Sequence, residues 1–254
     1  MHVFAADAPA LEGHYRPATR PLGEIETLAQ GHGIGHLVLV QPSVYGTDNR
    51  VLLDALRERP GRHRGIVVVD AGISEGELDA MHALGVRGVR FNLVSPVGLR
   101  DDAALERLAP SLRRLGWHVQ WYADALQLER LATLQRAHGL RFVLDHLAGM
   151  RGHAAGTDAC WAALASLADA GAWVKLSGWY RLQARAPYGE LDDTIRRVAA
   201  LFGARLVWGS DWPHTLFGPG ESPDYGTTWA PVPRALGDTR GRAVREVGPP
   251  ELYR

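Results

Sequence analysis

The sequence predicts an α/β fold, a single-domain (β/α)8 TIM barrel over residues 1–254, and three observations predict it. Strand-like apolar runs and amphipathic helix-like runs alternate from one end of the chain to the other. Most of the apolar runs are continuous in Val, Leu, Ile and Trp, as expected for strands buried on both faces of a parallel sheet. The length, 254 residues, matches the roughly 250 of one such barrel. An open dinucleotide-binding sheet would instead show Gly-x-Gly-x-x-Gly after its first strand, and none is present.

Eight strands are expected: a stub at Met1–Phe4, then His36–Pro42, Arg64–Asp70, Val86–Asn92, Trp117–Ala123, Arg141–Leu147, Ala172–Gly178 and Arg205–Trp212. Helices fill the intervals. Asp48 and Asn49 can cap a run ending at Leu56 whose leucines recur with a helical period. Ser74-Glu-Gly-Glu77 has the form of a capping box ahead of Leu78, Met81 and Leu84. The other helices are Asp101–Leu115, Asp124–His138, Thr157–Ala170 and Glu190–Phe202, and glycines 116, 139, 171 and 203 close them. Residues 218–231, rich in Gly, Pro, Ser and Thr, are expected to form a loop over the last strand, part of a lid.

Composition narrows the function. The 28 basic and 28 acidic residues cancel, so no overall field draws in nucleic acid or an anionic membrane, and anion binding must come from a few placed arginines. The one cysteine, Cys160, excludes an internal disulfide and a cysteine-cluster metal site and suits a reducing compartment. No run approaches the ~20 apolar residues of a membrane helix, and no signal peptide is recognisable. A cytoplasmic enzyme with a small-molecule partner is expected. Barrel helices leave room for a homodimer, with no face selected.

In this fold the chemistry sits at the C-terminal ends of the strands. Read in order, those ends offer His2; Gln41, Ser43 and Tyr45; Arg90 and Asn92; Gln120 and Tyr122; Asp145 and His146; Lys175, Ser177 and Arg181; and Asp211 and His214. A carboxylate can take a proton from water, a histidine can orient or protonate, and arginines can grip an anionic substrate. Plainer readings stand beside these. Asp211 could cap a turn, His146 could be a core histidine, and Arg90 could bind ligand or pair with Asp211 or Asp145. Lys175 suits a structural ion pair, and Arg181 could be solvated. Tyr45, Trp121, Trp179 and Trp212 suit packing, and His14 and His153 have no ligand spacing.

Seven stretches carry a resemblance. They are His2-Val-Phe4, Gln41-Pro-Ser43-Val-Tyr-Gly46-Thr-Asp-Asn49, Arg87-Gly-Val-Arg90-Phe-Asn92, Gly116-Trp-His-Val-Gln-Trp-Tyr122, Asp145-His146, Trp173-Val-Lys175-Leu-Ser177-Gly and Trp208-Gly-Ser-Asp211-Trp-Pro-His214. In this order they resemble the amidohydrolase-related barrels (amidohydrolase family 2), in the 2-pyrone-4,6-dicarboxylate lactonase-like branch. The resemblance implies a hydrolase that opens a lactone or carboxylic ester of a small carboxylated substrate. It implies Asp211 as the base that activates water, with His146 and His2 polarising the scissile carbonyl. Arg90 and Arg181 would bind substrate carboxylates, Ser43 and Tyr122 would line the pocket, and Asn92 and His214 join the substrate-binding set.

The chain departs from the family pattern twice. Family members open with Asp-x-His-x-His, whereas here His2 matches the second histidine and the first is missing. The expectation is a truncated first strand, with the true start upstream. Asp145-His146 continues as Leu-Ala-Gly149-Met150, without the Gly-Arg pair whose arginine would clamp a carboxylate. That counts against the pyrone dicarboxylate itself, not against lactone hydrolysis as a class. No cofactor is firmly expected. The open alternative is one weakly bound divalent ion, zinc or manganese, on His2, His146 and Asp211. Two rival functions stand beside lactone hydrolysis: a metal-dependent decarboxylase of an aromatic or unsaturated acid, and an impaired barrel that only binds ligand.

Overall fold

The structure is a computed structural model that describes residues 1–11, 15, 17–95, 101–151, 157–215, 217–218 and 220–254. His14 and His153 lie outside the described residues. The strands follow the chain in the order β1 to β7, and the chain forms two compact units.

The first unit comprises residues 1–119 and 212–220. It contains α1 (Leu22–Gly31), β1 (Val38–Val40), α2 (Arg50–Glu58), β2 (Arg64–Val67), α3 (Glu75–Ala83), β3 (Val86–Asn92) and α4 (Asp102–Leu115). β1, β2 and β3 pair in parallel, with Leu39 opposite Gly65 and Val67 opposite Val89. Leu39, Ile66, Val67, Val89 and Phe91 are at most 1% exposed, as the continuous apolar runs require of strands covered on both faces. α2 packs closely on β2. A Cβ added at Gly65 would lie 2.9 Å from the δ-methyls of Leu52 and Leu56, so glycine is what lets the helix approach. The capping box at the start of α3 forms as its spacing predicts. Ser74 accepts from the Glu77 backbone N–H, and the Glu77 carboxylate accepts from the Ser74 backbone N–H.

The second unit comprises residues 120–211 and 221–254. β4 (His118–Tyr122) enters it at Gln120. There follow α5 (Leu128–His138), β5 (Phe142–Leu144), α6 (Asp158–Asp169), β6 (Trp173–Leu176), α7 (Asp192–Phe202) and β7 (Leu206–Trp208). Four short helices close the chain: α8 (Tyr225–Trp229), α9 (Pro231–Leu236), α10 (Asp238–Glu246) and α11 (Gly248–Leu252). β5, β6 and β7 are parallel, with Leu144 opposite Val174 and Lys175 opposite Val207. Gly139 ends α5 in the left-handed conformation at φ +60°, and its N–H donates to the Gln135 carbonyl.

Seven of the eight expected strands form among the described residues. The stub at Met1–Phe4 makes one antiparallel bridge, Phe4 with Arg20, and has no strand span of its own. Its backbone still runs beside β1: the Val40 N–H donates to the Met1 carbonyl at 2.8 Å, and the His2 N–H donates to the Trp212 carbonyl at 3.0 Å. The expected loop at 218–231 contains α8, which Asp224 caps by accepting from the Thr227 N–H. No helix among the described residues is long and apolar enough to cross a membrane.

Candidate active site

In the second unit, four of the expected strand ends deliver polar groups into one connected cluster. β7 runs out through Gly209 and Ser210 to Asp211, a residue held at φ +59° and 8% exposed. Its Oδ2 accepts two hydrogen bonds, from the Tyr180 hydroxyl and the Arg181 Nε–H, each 2.5 Å. The Arg181–Asp211 ion pair is buried, with 12% and 6% of the side chains exposed. Burial alone would lower the Arg181 pKa, but the charge of Asp211 and the Tyr180 phenol overcome it and hold the guanidinium firmly protonated. Burial, then the Asp211 charge, pushes the Tyr180 hydroxyl well above the usual tyrosine value, so it stays a donor.

Beyond β6, Gly178 takes the left-handed conformation at φ +58° and turns the chain into the short helical turn Trp179–Leu182. This turn carries Tyr180 and Arg181 to Asp211. The Arg181 guanidinium lies 5.3 Å above the Tyr180 ring and 5.8 Å above the Tyr122 ring at the end of β4. Tyr122 meets the His146 ring edge-on, 4.7 Å between centroids at 85°. His146 follows β5, and it, Leu147 and Ala148 are three successive non-glycine residues at positive φ (51°, 52° and 56°). Such a run is strained and persists only where its surroundings enforce it.

Those surroundings are visible. A Cβ on Gly178 would overlap the His146 imidazole. The Ser177 hydroxyl lies 3.0 Å from His146 Nδ1. Directly before the strained run, Asp145 is pinned through both carboxylate oxygens: Lys175 Nζ is 2.8 Å from Oδ1, and Gln120 Nε2 donates to Oδ2 at 2.9 Å. Lys175 is thus the structural partner its position on β6 suggests. Tyr253, near the end of the chain, is held protonated by burial and then by the Asp145 charge.

Four of the expected site residues, Tyr122, His146, Arg181 and Asp211, therefore meet in one unit. The plainer reading of Arg181 as a solvated residue does not hold, since it is buried in a pair with Asp211. Tyr180 was missed because nothing in its spacing shows that the chain turns at Gly178. An aromatic–arginine pair directly after a strand-end glycine was the available signal.

The first unit holds His2, Ser43, Arg90, Asn92 and His214. His2 is 7% exposed, and its Nδ1 lies 2.8 Å from the Val40 carbonyl. A carbonyl only accepts, so Nδ1 carries a proton. Asn92 Oδ1 accepts from the N–H groups of Val94 and Ser95, shaping the turn after β3. Ser43 lies in the helical turn Ser43–Tyr45 after β1, while Arg90 and His214 are buried at 7% and 2% exposed. Gln41 is structural, its amide donating to the Gly46 and Asp48 carbonyls.

A metal does not fit these donors. Among the described residues no group of three or more His, Cys, Asp or Glu side chains gathers as an ion-binding set. A tightly held catalytic zinc usually draws on three protein ligands. Asp211, one of the three expected here, already holds a cationic guanidinium.

Comparison with known proteins agrees with this picture. The amidohydrolase family profile matches residues 4–237. Over 229 residues the chain is 33% identical to a 2-pyrone-4,6-dicarboxylate hydrolase of Comamonas testosteroni, covering 84% of this chain and 75% of that one. It is 32% identical to a 4-sulfomuconolactone hydrolase of Rhizobium radiobacter, covering 89% and 78%. A solved structure from Acinetobacter baumannii with citric acid bound, described as a probable 2-pyrone-4,6-dicarboxylic acid hydrolase, superposes with a TM-score of 0.86 at 26% identity. That superposition covers 99% of this chain and 96% of the other. Both curated relatives are named as hydrolases, the second of a lactone. By its profile match, its relatives and its fold, the chain belongs to the amidohydrolase family.

Proposed function

We propose that the chain hydrolyses a lactone of a small carboxylated substrate, with Asp211 as the base. One observation carries the reading: Asp211, just past the end of β7, is a buried carboxylate held by Tyr180 and Arg181, in a chain whose relatives are named a 2-pyrone-4,6-dicarboxylate hydrolase and a 4-sulfomuconolactone hydrolase. Two donors on one oxygen fix the carboxylate's orientation, and the charge-assisted one favours its ionised form. Asp211 takes a proton from water as the water oxygen bonds to the lactone carbonyl carbon. Negative charge then gathers on the carbonyl oxygen, where a nearby histidine N–H stabilises it. When the ring C–O bond breaks, the ring oxygen leaves with the proton returned by Asp211, giving a hydroxyl and a carboxylic acid that releases its proton to solvent as the carboxylate.

His146 stands in the same cluster as Asp211 and supplies the N–H. His2, with its Nδ1 proton committed to Val40, would polarise a carbonyl only as an imidazolium. Arg181 presents five N–H donors, of which Nε serves Asp211, and the planar fork suits a substrate carboxylate as well. By family resemblance Arg90 grips a carboxylate, with Ser43, Asn92 and His214 as further substrate contacts. The missing arginine after His146 turns the preference towards lactones with fewer or differently placed carboxylates than the pyrone dicarboxylate.

The reading includes an eight-stranded (β/α)8 barrel with Met1–Phe4 as its first strand, supported by the Val40-to-Met1 backbone bond. It also includes a cytoplasmic location, supported by the single cysteine, and a homodimer.

A panel of carboxylated and neutral lactones, followed by ultraviolet absorbance, tests the class. The expected result is turnover of carboxylated members well above neutral ones. Equal rates on both, or turnover of neither, would overturn it.

A further inference from the structure

We propose that Ser177 is a positioning residue that fixes the tautomer of His146, keeping the ring proton on Nε2. The inference rests on the lactone reading only for what that proton then does.

Ser177 Oγ and His146 Nδ1 are 3.0 Å apart, and the two residues are 1% and 3% exposed. A neutral imidazole offers one donor and one acceptor nitrogen, and a hydroxyl has one hydrogen to give. Among the described residues this contact is the only hydrogen bond of the Ser177 side chain. If Nδ1 carried the proton, the hydroxyl would have to accept it. Its own hydrogen would then be buried without an acceptor, which costs the full desolvation penalty of that group. With the roles reversed the hydroxyl hydrogen and Nδ1 satisfy each other. The hydroxyl therefore donates to Nδ1, and the ring proton sits on Nε2.

The ring is also kept from turning. Gly178, left-handed at φ +58°, leaves just the space the imidazole fills, since any Cβ there would overlap it. Tyr122 closes the other approach edge-on at 4.7 Å. A half-turn of the ring would forfeit the Ser177 bond. His2 shows the opposite arrangement, with Nδ1 facing a backbone carbonyl that can only accept. Each neutral histidine thus has its tautomer set by the partner of its Nδ1. The Nε2–H form of His146 can donate to a carbonyl oxygen as charge develops there, and it cannot act as a base through that nitrogen.

Long-range 1H–15N NMR of histidine-labelled protein, with His146→Gln to assign the signals, reads the tautomer directly. Wild type is expected to show His146 protonated on Nε2 and bare at Nδ1. Ser177→Ala, which removes the hydroxyl and adds no bulk, is expected to shift the ring towards a mixture of tautomers. On a lactone that the wild type hydrolyses, the same variant should lose about tenfold in kcat with KM little changed. An Nδ1–H signal in wild type, or an unchanged tautomer in a folded Ser177→Ala protein, would overturn the proposal. A shifted tautomer with unchanged kcat would remove Ser177 from the reaction. The NMR reading needs no substrate, so absence of lactone turnover would count against the proposed function alone.

Discussion

The buried charges of the second unit are arranged in two pairs with different duties. Arg181 with Asp211 orients the carboxylate proposed as the base, while Lys175 with Asp145 lies directly before the strained residues that present His146. Removing one member of a buried pair leaves the other charge unmatched, at a cost of about 3–5 kcal/mol. Lys175→Met is therefore expected to lower the unfolding free energy by about that amount, read in urea denaturation. A loss below about 1 kcal/mol would mean the pair is solvated like a surface one. That Asp211 and His146 are brought into one buried polar cluster was legible in sequence, because a polar residue after an apolar strand has few structural reasons to be there. The side to which Arg181 turns was not legible, since it depends on one glycine adopting φ +58°.

Short strand-to-helix connections do most of the positioning in this chain. Residues 146–149 and Gly178 carry positive-φ backbone on the two sides of the Ser177–His146 bond. Gly178→Ala would place a methyl in the imidazole and impose a left-handed alanine, so it is expected to abolish turnover and to destabilise the fold. Near-wild-type activity in that variant, measured beside its circular dichroism, would show that the ring position is not critical. Element identity was largely legible: β3 spans Val86–Asn92 as the apolar run predicts, and the capping box of α3 formed. α1 escaped notice because Gly23, Gly31 and a preceding Pro21 mask the Leu22, Ile25 and Ala29 stripe that it buries. α8 to α11 escaped because Pro and Gly at their starts, acceptable in a first helical turn, look like loop punctuation in sequence.

At the scale of the whole molecule, charge balance leaves pH response to a few buried groups, of which the Glu26–His63 cluster of the first unit is the clearest. His63 Nδ1 accepts from the Leu37 N–H and its Nε2 bonds Glu26, so the ring is satisfied as the neutral form. Burial foremost, aided by Arg62 and His36, lowers the His63 pKa against the pull of Glu26. Burial would raise the Glu26 pKa, but His63, Arg59 and Arg62 outweigh it and hold it below the usual glutamate value. In both cases the unfolded chain binds the proton first. Stability is full above the unfolded values, about 6.5 for histidine and about 4.3 for glutamate, and falls as the pH drops through each towards the folded value. The Tm is expected to decline between about pH 7.5 and 5.5, with a shallower decline in His63→Gln. A flat wild-type profile over that range would contradict the assignment.

The proposed water-activating role of Asp211 in lactone opening draws on no tightly held metal. It is tested most directly by measuring hydrolysis of a carboxylated lactone by the wild type and by Asp211→Asn, each after exhaustive chelation. Wild-type turnover is expected to be unchanged by the chelator, with a loss of about 10²–10⁴-fold in the variant, the scale of a general base. Turnover that disappears on chelation, or an Asp211→Asn enzyme as fast as wild type, would contradict it.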